Sequence, residues 1–249
     1  MPTSTSLQGQ NVLITGAAKR IGRALALGLA RSGASIVIHH RSSGDEASAL
    51  AGEITQMGTS AWIVAGDLAE PSDSERVFAE ALAHAGQIDV LINNASLYPE
   101  DNFTNLTADS LTENVNVNAL APFLLARAFA AQGKPGNIIN LLDTRIQDYD
   151  AKHLSYHLSK HMLYTMTRLL ALELAPHVRV NGVAPGLIIP PVGEDEEYLK
   201  KLADTNPLDM HGGPEDIVAS VAYLLGARFV TGQVIYVDGG RHMLGGVYG

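Results

Sequence analysis

The chain of 249 residues has no cysteine. That excludes a disulfide scaffold, a thiolate zinc site, an iron–sulfur cluster and a cysteine nucleophile. Aromatic residues are scarce at 6%, with Trp62 the only tryptophan, and charged residues make up 17%. No apolar run reaches the roughly 18 residues that a membrane span needs. Residues 1–10 lack the basic and apolar regions of a signal peptide. Positive charge is also in short supply: 17 Lys and Arg stand against 26 Asp and Glu, so the net charge is −9 and the pI about 5.4. No basic stripe is left to release counterions from nucleic-acid phosphates. What the chain does have is apolar surface. At 46% hydrophobic it is too apolar to be disordered and long enough to bury a sizeable core. The expectation is a cytoplasmic enzyme or binding protein with no nucleic-acid, membrane or metal partner.

Short apolar runs alternate with longer stretches of helical periodicity. Strands are predicted at 11–15, 35–40, 60–65, 88–92, 137–141, 178–184 and 234–237. Helices are predicted at 20–32, 44–57, 72–85, 153–174, 195–203 and 214–225, and 106–129 reads as two helices interrupted near Asn116–Asn118. This alternation predicts the α/β class: a single Rossmann-like, doubly wound domain over 1–249, about seven parallel strands with helices on both faces. The segment 186–214 carries Pro190, Pro191, Gly193 and the acidic run Glu194–Glu197. It reads as a solvated loop and helix start, or as a lid over a site.

Ligands of such a sheet bind outside the carboxyl ends of its strands. The first strand runs into Thr15-Gly16-Ala17-Ala18-Lys19-Arg20-Ile21-Gly22. Gly16 permits a tight turn, and Gly22 lets the helix pack close and bring its N–H groups toward a phosphate. The second strand ends in His39-His40-Arg41-Ser42-Ser43. An NAD site usually has a carboxylate there for the ribose 2′-OH. An arginine and two hydroxyls suit a 2′-phosphate instead, so NADPH is the expected cofactor. Lys19, Arg20, Arg23 and Arg41 are expected to gather around it, against the global charge. Tyr156 and Lys160 form Tyr-x-x-x-Lys, one face of a helix. A lysine beside a phenol stabilises the phenolate, lowers its pKa and makes it an acid/base.

The turn resembles the T-G-x-x-x-G-x-G fingerprint of short-chain dehydrogenases/reductases, with Arg20 in place of the middle glycine. In that departure it is similar to the pteridine reductases, dihydromonapterin reductases included. The resemblance runs from about Gln10 to His242 and also rests on Asn93-Asn94-Ala95-Ser96, Pro185-Gly186 and Val237-Asp238-Gly239-Gly240-Arg241-His242. It implies cofactor contacts from Gly16, Arg20, Ile21, His40, Arg41, Ser42, Asp67, Leu68, Asn94, Ala95, Ser96, Tyr156, Lys160, Pro185 and Gly186. Asp67 would accept from the adenine amino group. It implies catalysis by Tyr156, Lys160, Asn118 (a water-holding relay residue) and Asp143.

Asp143 stands where the general family has a serine, thirteen positions before the tyrosine. A carboxylate does not donate to a substrate carbonyl unless protonated, but it accepts from ring N–H and amino groups. Thr144 is the competing hydroxyl. The pterin would meet Arg20, Ser96, Tyr98 (or Leu97), Asp143, Tyr156 and Leu187. A homotetramer is implied by the family's C-terminal motif. The reading is an NADPH-dependent pteridine reductase acting on a small dihydropterin. A carbonyl reductase, such as a 3-oxoacyl thioester reductase, is the alternative, and an idle NADP-binding regulator a more distant one. His153, His157 and His161 lie four apart, but no carboxylate or cysteine is placed to complete a metal site. They read as a solvated or interface helix face.

Overall fold

The computed structural model describes residues 6–191 and 193–244. Residues 1–5 and 245–249 of the expected domain, and Val192 of the expected lid, lie outside the described residues. Seven strands form one sheet: β1 (Asn11–Ile14), β2 (Ser35–His40), β3 (Ala61–Ala65), β4 (Val90–Asn93), β5 (Gly136–Leu141), β6 (Val178–Pro185) and β7 (Val234–Val237). Their order is β3-β2-β1-β4-β5-β6-β7, and every pairing is parallel. Leu13 sits opposite Val37 on one side and Leu91 on the other. Both faces of such strands are buried, so they read as continuous apolar runs.

Helices α1 (Arg20–Arg31), α2 (Gly44–Gln56) and α8 (Pro214–Gly226) cover one face, where Leu25, Leu29, Ile54, Val221 and Leu224 pack on Val12, Ile14 and Ile36. Helices α3 (Pro71–Ala85), α5 (Ala121–Ala130) and α6 (Leu154–Glu173) cover the other, where Val77, Phe78, Leu125, Phe129 and Ala171 pack on Leu13, Val37 and Ile138. Each such leucine or phenylalanine contributes about 1.5–3 kcal/mol by leaving water. The remaining α-helices among the described residues are α4 (Ala108–Val115) and α7 (Glu196–Lys201). No helix among the described residues is long and apolar enough to cross a membrane.

Two elements differ from the sequence expectation. The predicted interruption near Asn116–Asn118 is no break: α4 passes through a π turn, Asn116–Leu120, straight into α5. Pro122 explains the wide turn, because it has no N–H to give to the carbonyl of Asn118. Such π turns collect at functional sites. In the segment 186–214 the predicted helix 195–203 shortens to α7 and a separate 3₁₀ turn, Ala203–Thr205, with Asp195 capping α7 by accepting from the Glu197 N–H at 3.0 Å.

Candidate active site

Chain order reverses between β1 and β4, which opens a crevice at their carboxyl ends. A cleft of about 350 Å³ lies there. Of the sequence-predicted cofactor residues, Gly16, Arg20, Ile21, Arg41, Asp67, Leu68, Asn94, Ala95 and Ser96 line it. The glycine turn is held from β4. The Asn94 amide donates to the carbonyls of Thr15 (2.8 Å) and Gly16 (3.1 Å), and the N–H groups of Asn94 and Ala95 donate to the Thr15 hydroxyl at 2.9 and 3.0 Å. Gly16 has φ +62°, and a Cβ on Gly22 would lie 2.3 Å from the Gly16 carbonyl oxygen. Only glycines fit this cradle. The first N–H groups of α1 have no intrahelical acceptors and open toward it.

Arg20 takes φ +54°, a conformation that is strained by roughly 1–2 kcal/mol for a residue with a Cβ. Its Nη2 donates to the Pro190 carbonyl at 2.8 Å, joining the turn to the segment 186–214. The expected gathering of four cations is smaller. Arg23 does not line the cleft, because Glu53 on α2 takes its guanidinium through two contacts of 2.6 and 2.8 Å. Lys19 lines the cleft but pairs with Glu46 at 2.8 Å. Arg41 is exposed at the end of β2. His40 and Ser42 are not among the lining residues, whereas His39 is. The buried His39 ring accepts from the Gly16 N–H at 3.2 Å and so donates through Nε2 to the Gly66 carbonyl at 3.1 Å. Burial lowers its pKa to about 4, so it stays neutral and serves the turn. The sequence expectation named His40 for this place; along β2 it is the neighbouring His39 that faces the turn.

The second group of predicted residues meets around α6. Asp143 follows β5 in extended conformation and accepts from the Arg145 N–H at 2.8 Å. Its other oxygen accepts from the Tyr156 hydroxyl at 2.7 Å. Lys160, fully buried, donates to the Leu141 carbonyl at 2.7 Å, and its nitrogen lies 5.6 Å from the Tyr156 ring centroid. Burial holds its pKa down at about 8. The phenol behaves otherwise than the Tyr-x-x-x-Lys pattern suggests: its pKa is pushed well up, first by burial and then by the Asp143 carboxylate. The lysine's nearest bond is to a carbonyl, while the carboxylate faces the phenol directly. The site therefore holds Tyr156 protonated. Thr144 turns away and donates to Asp238 at 2.6 Å, so its hydroxyl does not face Tyr156.

Tyr98 meets the Tyr156 ring edge-on, with centroids 4.6 Å apart, and stacks on His153 at 4.0 Å. Leu97, its neighbour, lines the cleft instead. Asn118, in the π turn, joins the two groups. Its side chain accepts from the Leu97 N–H (2.7 Å) and donates to the Leu97 carbonyl (2.9 Å), to Asn114 (2.7 Å) and to Ser159 on α6 (3.0 Å). Tyr98, Asn118, Asp143, Tyr156 and Lys160 do not themselves line the cleft.

Pro185, Gly186 and Leu187 lie beside β7. The Gly186 N–H donates to the Val237 carbonyl at 2.9 Å, and Leu187 lines a separate cavity of about 640 Å³ with Met210 and Tyr236. Among the described residues no group of His, Asp and Glu is arranged to hold a metal ion. Sequence reasoning missed Thr15 and His39 as supports of the turn and Arg145 beside Asp143. Thr15 stood in the fingerprint itself; no local pattern marks Arg145.

The fold, the glycine cradle and the Asp143–Tyr156–Lys160 group define an oxidoreductase of the dinucleotide-binding α/β class. A family model described as enoyl-(acyl carrier protein) reductase matches residues 16–242, and the chain belongs to the short-chain dehydrogenase/reductase family. L-rhamnose 1-dehydrogenase (NAD(P)(+)) of Sphingomonas sp. (strain SKA58) is 30% identical over 248 residues, 95% of this chain and 98% of that protein. L-xylulose reductase of Mesocricetus auratus is 34% identical over 245 residues, 94% and 97% of the two chains. Among solved structures, FolM alternative dihydrofolate reductase 1 from Brucella canis, complexed with NADP, superposes with a TM-score of 0.88 at 33% identity, over 97% of this chain and 96% of that one.

Proposed function

We propose that the protein is an NADPH-dependent pteridine reductase that reduces a dihydropterin (dihydrobiopterin, dihydromonapterin or a dihydrofolate-like ring) to the tetrahydropterin. The observation that carries this reading is the 2.7 Å hydrogen bond from Tyr156 to Asp143. A protonated phenol beside an accepting carboxylate suits a C=N bond flanked by N–H and amino groups. The carboxylate takes those donors, and the phenol gives the ring nitrogen its proton. Arg20 in the turn and Ser96 at the cleft support the pterin. The likeness to the NADP-bound FolM reductase supports it as well.

The cradle fits the dinucleotide, since a Cβ at Gly22 would fill it. Arg41 and Ser42 would hold the 2′-phosphate, the start of α1 and Arg20 the diphosphate, Asp67 and Leu68 the adenine, and Lys160 the nicotinamide ribose. The bound cofactor supplies hydride to the ring carbon. Lys160, cationic below its pKa of about 8, offsets the charge left on Tyr156 when its proton departs. The segment 186–214 closes over the substrate, and the Arg20 bond to the Pro190 carbonyl gives it one tie to the cleft. The assembly is a homotetramer, supported by the exposed Leu158, Met162, Leu169 and Leu172 along one side of α6.

A second reading, a sugar carbonyl reductase, is favoured by the rhamnose and xylulose enzymes among the relatives. Against it, Asp143 does not donate to a carbonyl when ionised, and the Thr144 hydroxyl is taken by Asp238. Purified protein given NADPH with dihydrobiopterin, dihydromonapterin, L-xylulose or an acetoacetyl thioester separates the readings. Turnover of the pterins supports the proposal, and turnover of only the sugar or thioester overturns it.

Two further outcomes are expected. Arg41→Ala weakens NADPH by about tenfold or more, as loss of a charge-assisted contact does, and leaves NADH nearly unchanged. Fluorescence titration with both dinucleotides checks this, and equal losses refute the 2′-phosphate assignment. The pH profile of kcat/KM, which follows the free enzyme, should fall as pH rises through about 8, where Lys160 loses its proton. A steady-state profile that stays flat to pH 9.5 would remove Lys160 from that role.

A further inference from the structure

Asp101 is a buried carboxylate with no part in the chemistry above. It lies in the loop after β4, three residues beyond Tyr98, and is 5% exposed. Its partner is the start of α6, 54 residues away in sequence. One carboxylate oxygen accepts from the Ser155 N–H at 2.9 Å, and the other accepts from the Ser155 hydroxyl. Helix α6 has no cap of its own, since His153 at its N-cap position makes no side-chain capping bond. The charge sits where a helix N-terminus favours an anion. Backbone bonds reinforce the junction: the Asp101 N–H donates to the Lys152 carbonyl at 2.8 Å and the Leu154 N–H to the Asp101 carbonyl at 3.3 Å. The His153 ring donates to the Pro99 carbonyl at 2.8 Å and stacks on Tyr98 at 4.0 Å.

The residue after Ser155 is Tyr156. One carboxylate therefore ties the loop that carries Tyr98 to the first turn of the helix that carries the acid. We infer that Asp101 is a positioning residue that fixes the Tyr98 ring against Tyr156 and so sets the aromatic wall of the substrate site. The inference rests on the reading of Tyr98 and Tyr156 as substrate contacts. It does not depend on which ring is reduced.

The test is a double-mutant cycle with a readout that needs no substrate. In Asp101→Ala, the His153 ring proton resonance, shielded by the stacked Tyr98 and assigned with His153→Gln, is expected to move toward the value of an unstacked imidazole. The KM for dihydropterin should rise about tenfold or more, as small misplacements of positioned groups produce. NADPH affinity should stay within about twofold, because the cleft is built from other elements. Asp101→Asn, which keeps an acceptor for the Ser155 N–H, should recover most of the KM. In a Tyr98→Ala background the Asp101→Ala effect on KM should nearly vanish, the coupling expected of residues acting as one unit. Should Asp101→Ala fail to fold, Ser155→Ala removes one bond alone and carries the same resonance and KM tests at smaller amplitude. An unchanged His153 resonance in the folded variant, or KM effects that simply add across the two backgrounds, overturns the inference. Absence of any dihydropterin turnover in the wild type counts against the pteridine reading, and the resonance still decides on Asp101.

Discussion

Tyr156→Phe is expected to lower kcat by about 10²–10⁴, the range that a single general acid contributes. The ring stays in place, so its packing against Tyr98 is kept and NADPH binding should stay within about twofold. What goes is the hydroxyl that donates to Asp143 at 2.7 Å. The carboxylate keeps the Arg145 N–H, so the fold survives with a loss of about 1–3 kcal/mol, typical of removing one partner from a bond to a charged group. Single-turnover reduction followed by NADPH absorbance separates the two effects. A variant that reduces substrate at the wild-type rate would show that another group delivers the proton. The pKa direction matters here. Burial and the carboxylate push the phenol up, so in the resting site Tyr156 carries its proton at every physiological pH. It is loaded as an acid for reduction, and the reverse oxidation would require that proton to leave first.

The second large effect concerns the carboxylate. Asp143→Ser should lower dihydropterin turnover by about an order of magnitude or more. It replaces an acceptor of ring N–H groups with a short hydroxyl that can donate. It also removes the anion facing Tyr156, so the phenol pKa should move down toward its ordinary range. Asp143→Asn distinguishes shape from charge. It can keep the turn bond to the Arg145 N–H and removes the charge. If turnover falls as far in Asn as in Ser, the charge is what matters. Wild-type turnover in both would make Asp143 a capping residue of the 3₁₀ turn and nothing more. Steady-state assays with matched unfolding midpoints check this.

The sheet was legible because a parallel strand covered on both faces is written as an unbroken apolar run. Residues 35–40 and 234–237 fall where expected to the residue. The glycine turn was equally legible, since Gly16 and Gly22 stand where only a missing side chain fits. The π turn was legible only in part: the sequence marks an interruption near Asn116–Asn118, where the turn Asn116–Leu120 lies, but one extra residue in a turn leaves no mark on composition that would tell it from a break. Local sequence also hides partners that arrive from elsewhere. Glu53 takes Arg23 from the cleft, Asp238 takes the Thr144 hydroxyl, and Asp101 reaches Ser155 across the fold. The Tyr-x-x-x-Lys spacing puts Lys160 beside Tyr156 but says nothing of the Leu141 carbonyl that receives the ammonium, or of the carboxylate that dominates the phenol. His39 and His40 differ only in parity along β2, and an apolar run buried on both faces does not fix parity.

The most direct test of the account is the ratio of kcat/KM for a 7,8-dihydropterin to that for L-xylulose, with NADPH, in the wild type and in Asp143→Ser. The account predicts a wild-type ratio far above one that drops by about tenfold or more in the variant, as a donor replaces the acceptor beside Tyr156. A wild-type ratio below one, or a ratio that Asp143→Ser leaves unmoved, would contradict it.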